Sequence, residues 1–223
     1  MDTKGKVIPE PSGGALAQVP MQETILLQDF NSWDIESLVD YIVNTQHRYF
    51  KENAVIMYDL VRKVAYNGAT NPGLPELEPA MFLFLHDLLN HMMKEEEILF
   101  PNVRQLVKNK RRSGKAKYTT FGLIKEWIGL MQKEHHSCCS DLFLFYQVTN
   151  NYMLPVDPSN SCKLLFRKMK EFEAAFLVNV HLENNVLFPK ALAEDEEPDE
   201  DSSVNIKFSS NDVDRKRSQT ERK

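Results

Sequence analysis

The sequence predicts an all-α fold, an antiparallel up-down four-helix bundle. Three observations predict it. Apolar residues recur at helical spacing in four long runs. The stretches between the runs carry helix-breaking prolines and glycines. Nowhere do β-branched and polar residues alternate over the length of a strand. Long helices with short or polar connections pack as antiparallel neighbours.

Each run has its own justification. Ser32 is placed to cap the first, ahead of Trp33, with Asp34 and Glu36 in the first turn, where the helix dipole favours acids. Ile35, Leu38, Val39, Ile42, Val43, Phe50, Ala54, Met57, Val61 and Val64 form its inward stripe. Asn67-Gly68 suits its C-cap, and the prolines beyond forbid continuation. The second run begins near Glu78 and turns Phe84, Leu88, Ile98 and Leu99 inward. Pro101 should kink or restart it, and it dissolves in "KNKRRSGKAK". The third spans about Thr120 to Asn151, with Ile124, Ile128, Met131, Leu142 and Tyr146 on one stripe. After "MLPVDPSNS", Asp157 caps and Pro158 opens the fourth run, which continues to about Ala193. Residues 1–28 thus read as a flexible lead-in, 29–193 as the helical domain, and 194–223 as a disordered tail, first acidic and then basic.

Composition narrows the function. With 223 residues, 42% hydrophobic and 26% charged, the chain has the make-up of a soluble globular domain. A net charge of −5 gives no reason to expect nucleic acid as a partner. No apolar run approaches the ~18 residues of a membrane span, and the first twenty residues show no export signal. Three cysteines suit a reducing compartment, so the expected location is the cytoplasm. The six Lys or Arg of "KNKRRSGKAK" suit a solvated loop at a helix C-terminus.

The inward stripes also carry polar residues. His47, His91 and His135 lie on them, with Glu95 four residues after His91 and Glu183 four before Leu187. His86, His136 and His181 fall off them. Buried imidazoles and carboxylates are costly unless paired. A metal-free network in which they satisfy one another is the plainer account. Three His and two Glu distributed over four helices favour a metal instead, because carboxylate-bridged di-iron sites are built from such side chains in a bundle core. Residues four apart share a face, so the imidazole and carboxylate of His-x-x-x-Glu can reach one ion.

The segments "DFNSWDIESLVDYIVNTQHRYF", "HMMKEEEILFP", "MQKEHHS" and "HLENNVLFPKAL" resemble, in order and spacing, the hemerythrin-like domain of iron–sulfur cluster repair di-iron proteins. The resemblance runs from about Asp29 to Leu192. It implies a hemerythrin-like bundle with a non-haem di-iron centre. His47, His91 and His135 are its implied terminal ligands, and Glu95 and Glu183 its bridges. It also implies a role in protecting or repairing iron–sulfur clusters under nitrosative or oxidative stress, with iron–sulfur proteins as clients. Two histidines of the family pattern are replaced: one by the stretch Tyr66, Asn67, Gly68, the other by Asn179. An Asn carbonyl is a weak neutral donor, so the second iron is expected to be held weakly. Two rival readings accompany this one, an O2- or NO-binding module and a metal-poor interaction scaffold. Cys138 and Cys139, three and four residues after His135, read as packing or as thiols near the metal; Cys162 reads as packing.

Overall fold

A computed structural model describes residues 29–66, 74–113 and 121–195. These form four long helices and no strand. Helix α1 covers residues 35–66 and α2 covers 74–113. Helix α3 is Phe121–Val148, and α4 covers 160–195. Helix α1 packs against α2 and α4, and α3 packs against α2 and the end of α4. The expected lead-in, and the tail beyond Asp195, lie outside the described residues.

Three of the four helices widen partway along into a π-helical turn. In α1 it is Ile42–His47, between Ile35–Tyr41 and Arg48–Tyr66. In α2 it is Glu95–Leu99, between Leu74–Lys94 and Phe100–Ser113. In α4 it is Leu182–Leu187, between Asn160–His181 and Phe188–Asp195. Such bulges are rare and concentrate at functional sites. Pro101 therefore neither breaks nor restarts α2. In both α2 and α4, Leu-Phe-Pro closes the wide turn. The Phe N–H reaches back five residues, Phe100 to the Glu95 carbonyl and Phe188 to the Glu183 carbonyl. The proline that follows has no N–H to place.

The helix ends differ from the sequence expectation for local reasons. Ser32 is not the cap of α1. Phe30–Ser32 is a short 3₁₀ turn, in which the Ser32 hydroxyl donates to the Asp29 carbonyl at 2.7 Å. Asp34 caps α1, accepting from the Ser37 N–H at 2.7 Å. Helix α2 starts at Leu74 instead of near Glu78, burying Leu74 and Leu77. Asp157 lies in the left-handed region at φ 52°, so Ser159 caps α4 in its place and accepts from Cys162 N–H. The fourth helix runs on to Asp195.

The core is divided in two. One apolar cluster takes Phe50 to Val64 of α1, Leu74 to Met92 of α2, Cys138 to Phe145 of α3 and Cys162 to Phe176 of α4. The other takes Ile35 to Ile42, Leu99 to Val107, Ile124 to Met131 and Leu182 to Ala191. Tyr146 is not part of the stripe: it is exposed and Phe145 is buried in its place. Val43 and Ile98 are only half-buried, because each falls inside a π turn that rotates the helical face. Between the two clusters every helix contributes buried polar groups: Gln46 and His47, His91 and Glu95, His135, Asn179 and Glu183.

Candidate metal centre

The five residues expected at the centre meet in this polar layer, each no more than 2% exposed. His91 Nε2 lies 2.9 Å from His135 Nε2 and 3.4 Å from Glu95 Oε1. His135 Nε2 lies 2.9 Å from Glu183 Oε2. On the other side, His47 Nε2 is 3.4 Å from both Glu95 Oε2 and Glu183 Oε1. Each carboxylate therefore turns one oxygen to His47 and the other to the His91–His135 pair.

Several of these short separations lack hydrogen-bond geometry. Both oxygens of Glu95, Glu183 Oε2 and Asn179 Oδ1 are buried acceptors without a hydrogen-bond partner. An orphaned buried acceptor costs about 1–3 kcal/mol, so four together mark a place built for something else. Ligand atoms of His91, Glu95, His135 and Glu183 all lie within 4.8 Å of one another. Spacings near 3 Å are those of neighbouring donors around an ion with bonds of about 2.1 Å. Imidazole nitrogens with carboxylate oxygens suit first-row transition metals. The residues present fit a metal.

A second set of residues holds the imidazoles, and the sequence reading missed it. His47 Nδ1 pairs with Glu96 Oε1 at 2.8 Å, and Lys51 Nζ donates to both Glu96 oxygens at 2.7 Å. His91 Nδ1 pairs with Glu134 Oε2 at 2.8 Å, and Lys94 bonds the same carboxylate. His135 Nδ1 pairs with Asn184 Oδ1 at 3.1 Å. With Nδ1–H donating outward, Nε2 keeps its lone pair for the centre, and the partner fixes the ring's orientation. The signal was adjacency: Glu96, Glu134 and Asn184 each neighbour a predicted ligand in sequence.

Charge follows from the same contacts. Burial pushes His47 down, but Glu183, Glu95 and Glu96 outweigh it and hold the imidazole well above its usual range. His91 is likewise pushed down by burial, yet Glu95 lifts it to about 9. The His47 hydrogen bond, aided by Lys51, pulls Glu96 down to about 2. Glu183 is raised by burial and lowered more strongly by His135 and His47, so it stays ionised. In the metal-free protein, protons on His47 and His91 occupy the role of the cation.

The two halves of the bundle are built alike. The spacing that carries Glu95 onto Glu183 also carries His47 onto His135, Glu96 onto Asn184 and Phe100 onto Phe188. Phe100 stacks against His47 at 5.9 Å and Phe188 against His135 at 6.1 Å. The same operation carries His91 onto Asn179. Because His91, from the first half, sits beside His135 of the second, residue 179 of the second half belongs beside His47.

The hemerythrin HHE cation-binding domain model matches residues 38–191. The chain belongs to that family. It is similar to iron–sulfur cluster repair protein YtfE of Musicola paradisiaca, 31% identical over 161 residues, which cover 71% of this chain and 66% of that protein. It is 28% identical over 179 residues to proteins of the same name from Escherichia coli O1:K1 and Escherichia fergusonii, covering 80% of this chain and 73% of theirs. The chain thus spans about two thirds to three quarters of these relatives' length.

The other sequence-stretch candidates fall elsewhere. His86, His136 and His181 are exposed and away from the polar layer. Cys138 is buried in the apolar cluster, and burial, with Asp141 nearby, pushes its thiol up to about 12. That favours packing over a thiolate. Cys139 is half-buried and also raised by burial, and Cys162 is a core residue. The Tyr66–Gly68 stretch passes out of the described residues after Tyr66, which is 78% exposed. Among the described residues no helix is long and apolar enough to cross a membrane.

Proposed function

We propose that this chain is a non-haem iron protein acting in the protection or repair of iron–sulfur clusters under nitrosative or oxidative stress, with iron–sulfur proteins as clients in the cytoplasm. His47, His91 and His135 would hold the iron as terminal ligands and Glu95 and Glu183 would be shared between its two sides, a set suited to two ions. The observation that carries this is the split of each buried carboxylate between His47 and the His91–His135 pair. The name of the relatives supports the repair role. Iron in such a site supplies Lewis acidity and reversible one-electron chemistry.

The chain's own residues do the rest. Glu96, Glu134 and Asn184 fix the imidazole orientations. Phe100 and Phe188 wall the centre against water. The unequal donor sets, two imidazoles on one side and one on the other, leave the His47 side the weaker, which suits iron that has to be handed on.

The test has two parts. Protein purified without oxygen should contain iron that Glu95→Ala and Glu183→Ala both abolish. The iron-loaded protein should then restore a cluster enzyme inactivated by nitric oxide, whereas Glu183→Ala should not. Full iron loading with no restoration would refute the repair role and leave the metal centre standing.

A further inference from the structure

We propose that Glu96, plugged by Lys51, is the port through which cations reach and leave the His47 side of the centre. This rests on the reading of the centre as a metal site. All five ligands are essentially inaccessible, so exchange has to pass through a group that touches both solvent and a ligand. Glu96 does so: its side chain is 23% exposed and bonds His47 Nδ1 at 2.8 Å. Lys51, 45% exposed, places its ammonium against both carboxylate oxygens. A hydrated divalent cation seeks that same oxygen pair first. The lysine therefore stands where an arriving ion would dock.

Two further observations favour this side. Glu134 and Lys94 make a similar pair over His91, but His91 faces the imidazole of His135, so release there requires two imidazoles to let go. The His47 side has one, with Asn179 in the place of a second. Moreover, the duplicated half lacks the device. Where Glu96 and Lys51 stand in the first half, the second has Asn184 and the half-buried Cys139, neither of them charged. At the equivalent position over His135 there is thus no charged, plugged carboxylate, only the Asn184 amide.

Stopped-flow uptake of Co(II), followed by release into excess chelator, tests the port with Lys51→Met, Lys51→Arg and Glu96→Gln alongside wild type. Lys51→Met should speed uptake and release alike, by about tenfold, with Kd within about threefold of wild type. Lys51→Arg should restore wild-type rates, and Glu96→Gln should slow uptake. Unchanged rates in Lys51→Met would overturn the port. So would one rate changing alone with Kd moving in proportion, since Lys51 would then only steady His47 or tune local charge. A wild-type protein that takes up no Co(II) or Fe(II) sinks the metal-centre reading and the port together. Uptake with rates indifferent to Lys51 sinks the port alone.

Discussion

Asn179→His should turn the weaker side of the centre into a match for the stronger one. Asn179 is 1% exposed and its Oδ1 has no hydrogen-bond partner. It occupies the position that His91 fills in the first half, four residues before the buried carboxylate of Glu183 on the same face. As the structure stands, the His91–His135 side offers two imidazoles and two carboxylate oxygens, and the His47 side one imidazole and two oxygens. Loss of a group that only supports a ligand costs about 10–100-fold in metal affinity. Gain of a direct imidazole should be worth at least as much, about 1.4–2.7 kcal/mol.

Chelator-driven Fe(II) release under anaerobic conditions reads this directly. Wild type should release in two phases, the fast one from the His47 side. Asn179→His should slow the fast phase by at least about tenfold and leave the slow phase alone. A thermal melt of the cation-free variant checks that the larger ring is accommodated. Unchanged release in a folded variant, or slowing of the slow phase instead, would show that residue 179 does not face His47. The equivalence of the two halves would then be wrong.

Four other outcomes follow from the same contacts. His91, lifted to about 9, stabilises the cation-free fold fully below its ordinary 6.5 and progressively less as pH climbs through 9; the cation-free protein should melt lower at pH 9 than at pH 6.5, while Co(II) affinity by titration rises over the same window, and a flat affinity would contradict this. His91→Ala and Glu95→Ala should each lose iron measured by elemental analysis, whereas the exposed His86→Ala and His136→Ala should keep it; equal losses would mean the polar layer is not the site. Phe188→Ala removes a fully buried ring stacked on His135 and should cost about 3–5 kcal/mol in denaturant unfolding, a cost below 1 kcal/mol showing that the ring is not packed as described. Asp34→Ala should cost about 1 kcal/mol, as loss of a helix cap does, and Ser32→Ala far less; the reverse order would restore Ser32 as the cap.

Much of the fold was legible because burial follows period. Nearly every residue on the inward stripe of α1 is buried, and so are Phe84, Leu88, Ile124, Ile128 and Met131. That His47, His91, Glu95, His135 and Glu183 come together inside was legible for the same reason: an ionisable side chain in phase with an apolar stripe is costly unless it has company. What escaped the reading escaped where period changes. A fixed helical angle cannot see a π turn, so Ile98 and Val43 were placed inward, and Pro101 was read as a break when it closes a widened turn. Caps were misplaced where two capping residues stood close together and only backbone angles decide between them, as at Ser32 and Asp34 or Asp157 and Ser159. The partners Glu96, Glu134 and Asn184 carry no periodic signal, because each reaches across to a histidine on another helix; only adjacency to a predicted ligand points to them.

The π turns also explain why the sequence repeats where it does. Glu95 and Glu183 are not merely four residues before Leu-Phe-Pro. Each lends its backbone carbonyl to the Phe five residues on, and each Phe ring then stacks on the histidine that shares its half, His47 or His135. The motif thus sets the carboxylate and steadies an imidazole in one step, which accounts for its survival in both halves. Other positions are free to diverge once this frame is in place. They have diverged in charge: His91 against Asn179, Glu96 against Asn184, Lys51 against Cys139, and Gln46 against Glu134. The first half concentrates its charge around His47, at the side short of an imidazole, while Glu134 of the second half serves His91. On this symmetric scaffold the asymmetric donor set gives the His47 side one imidazole against two, so an ion held there would be the one more readily passed on.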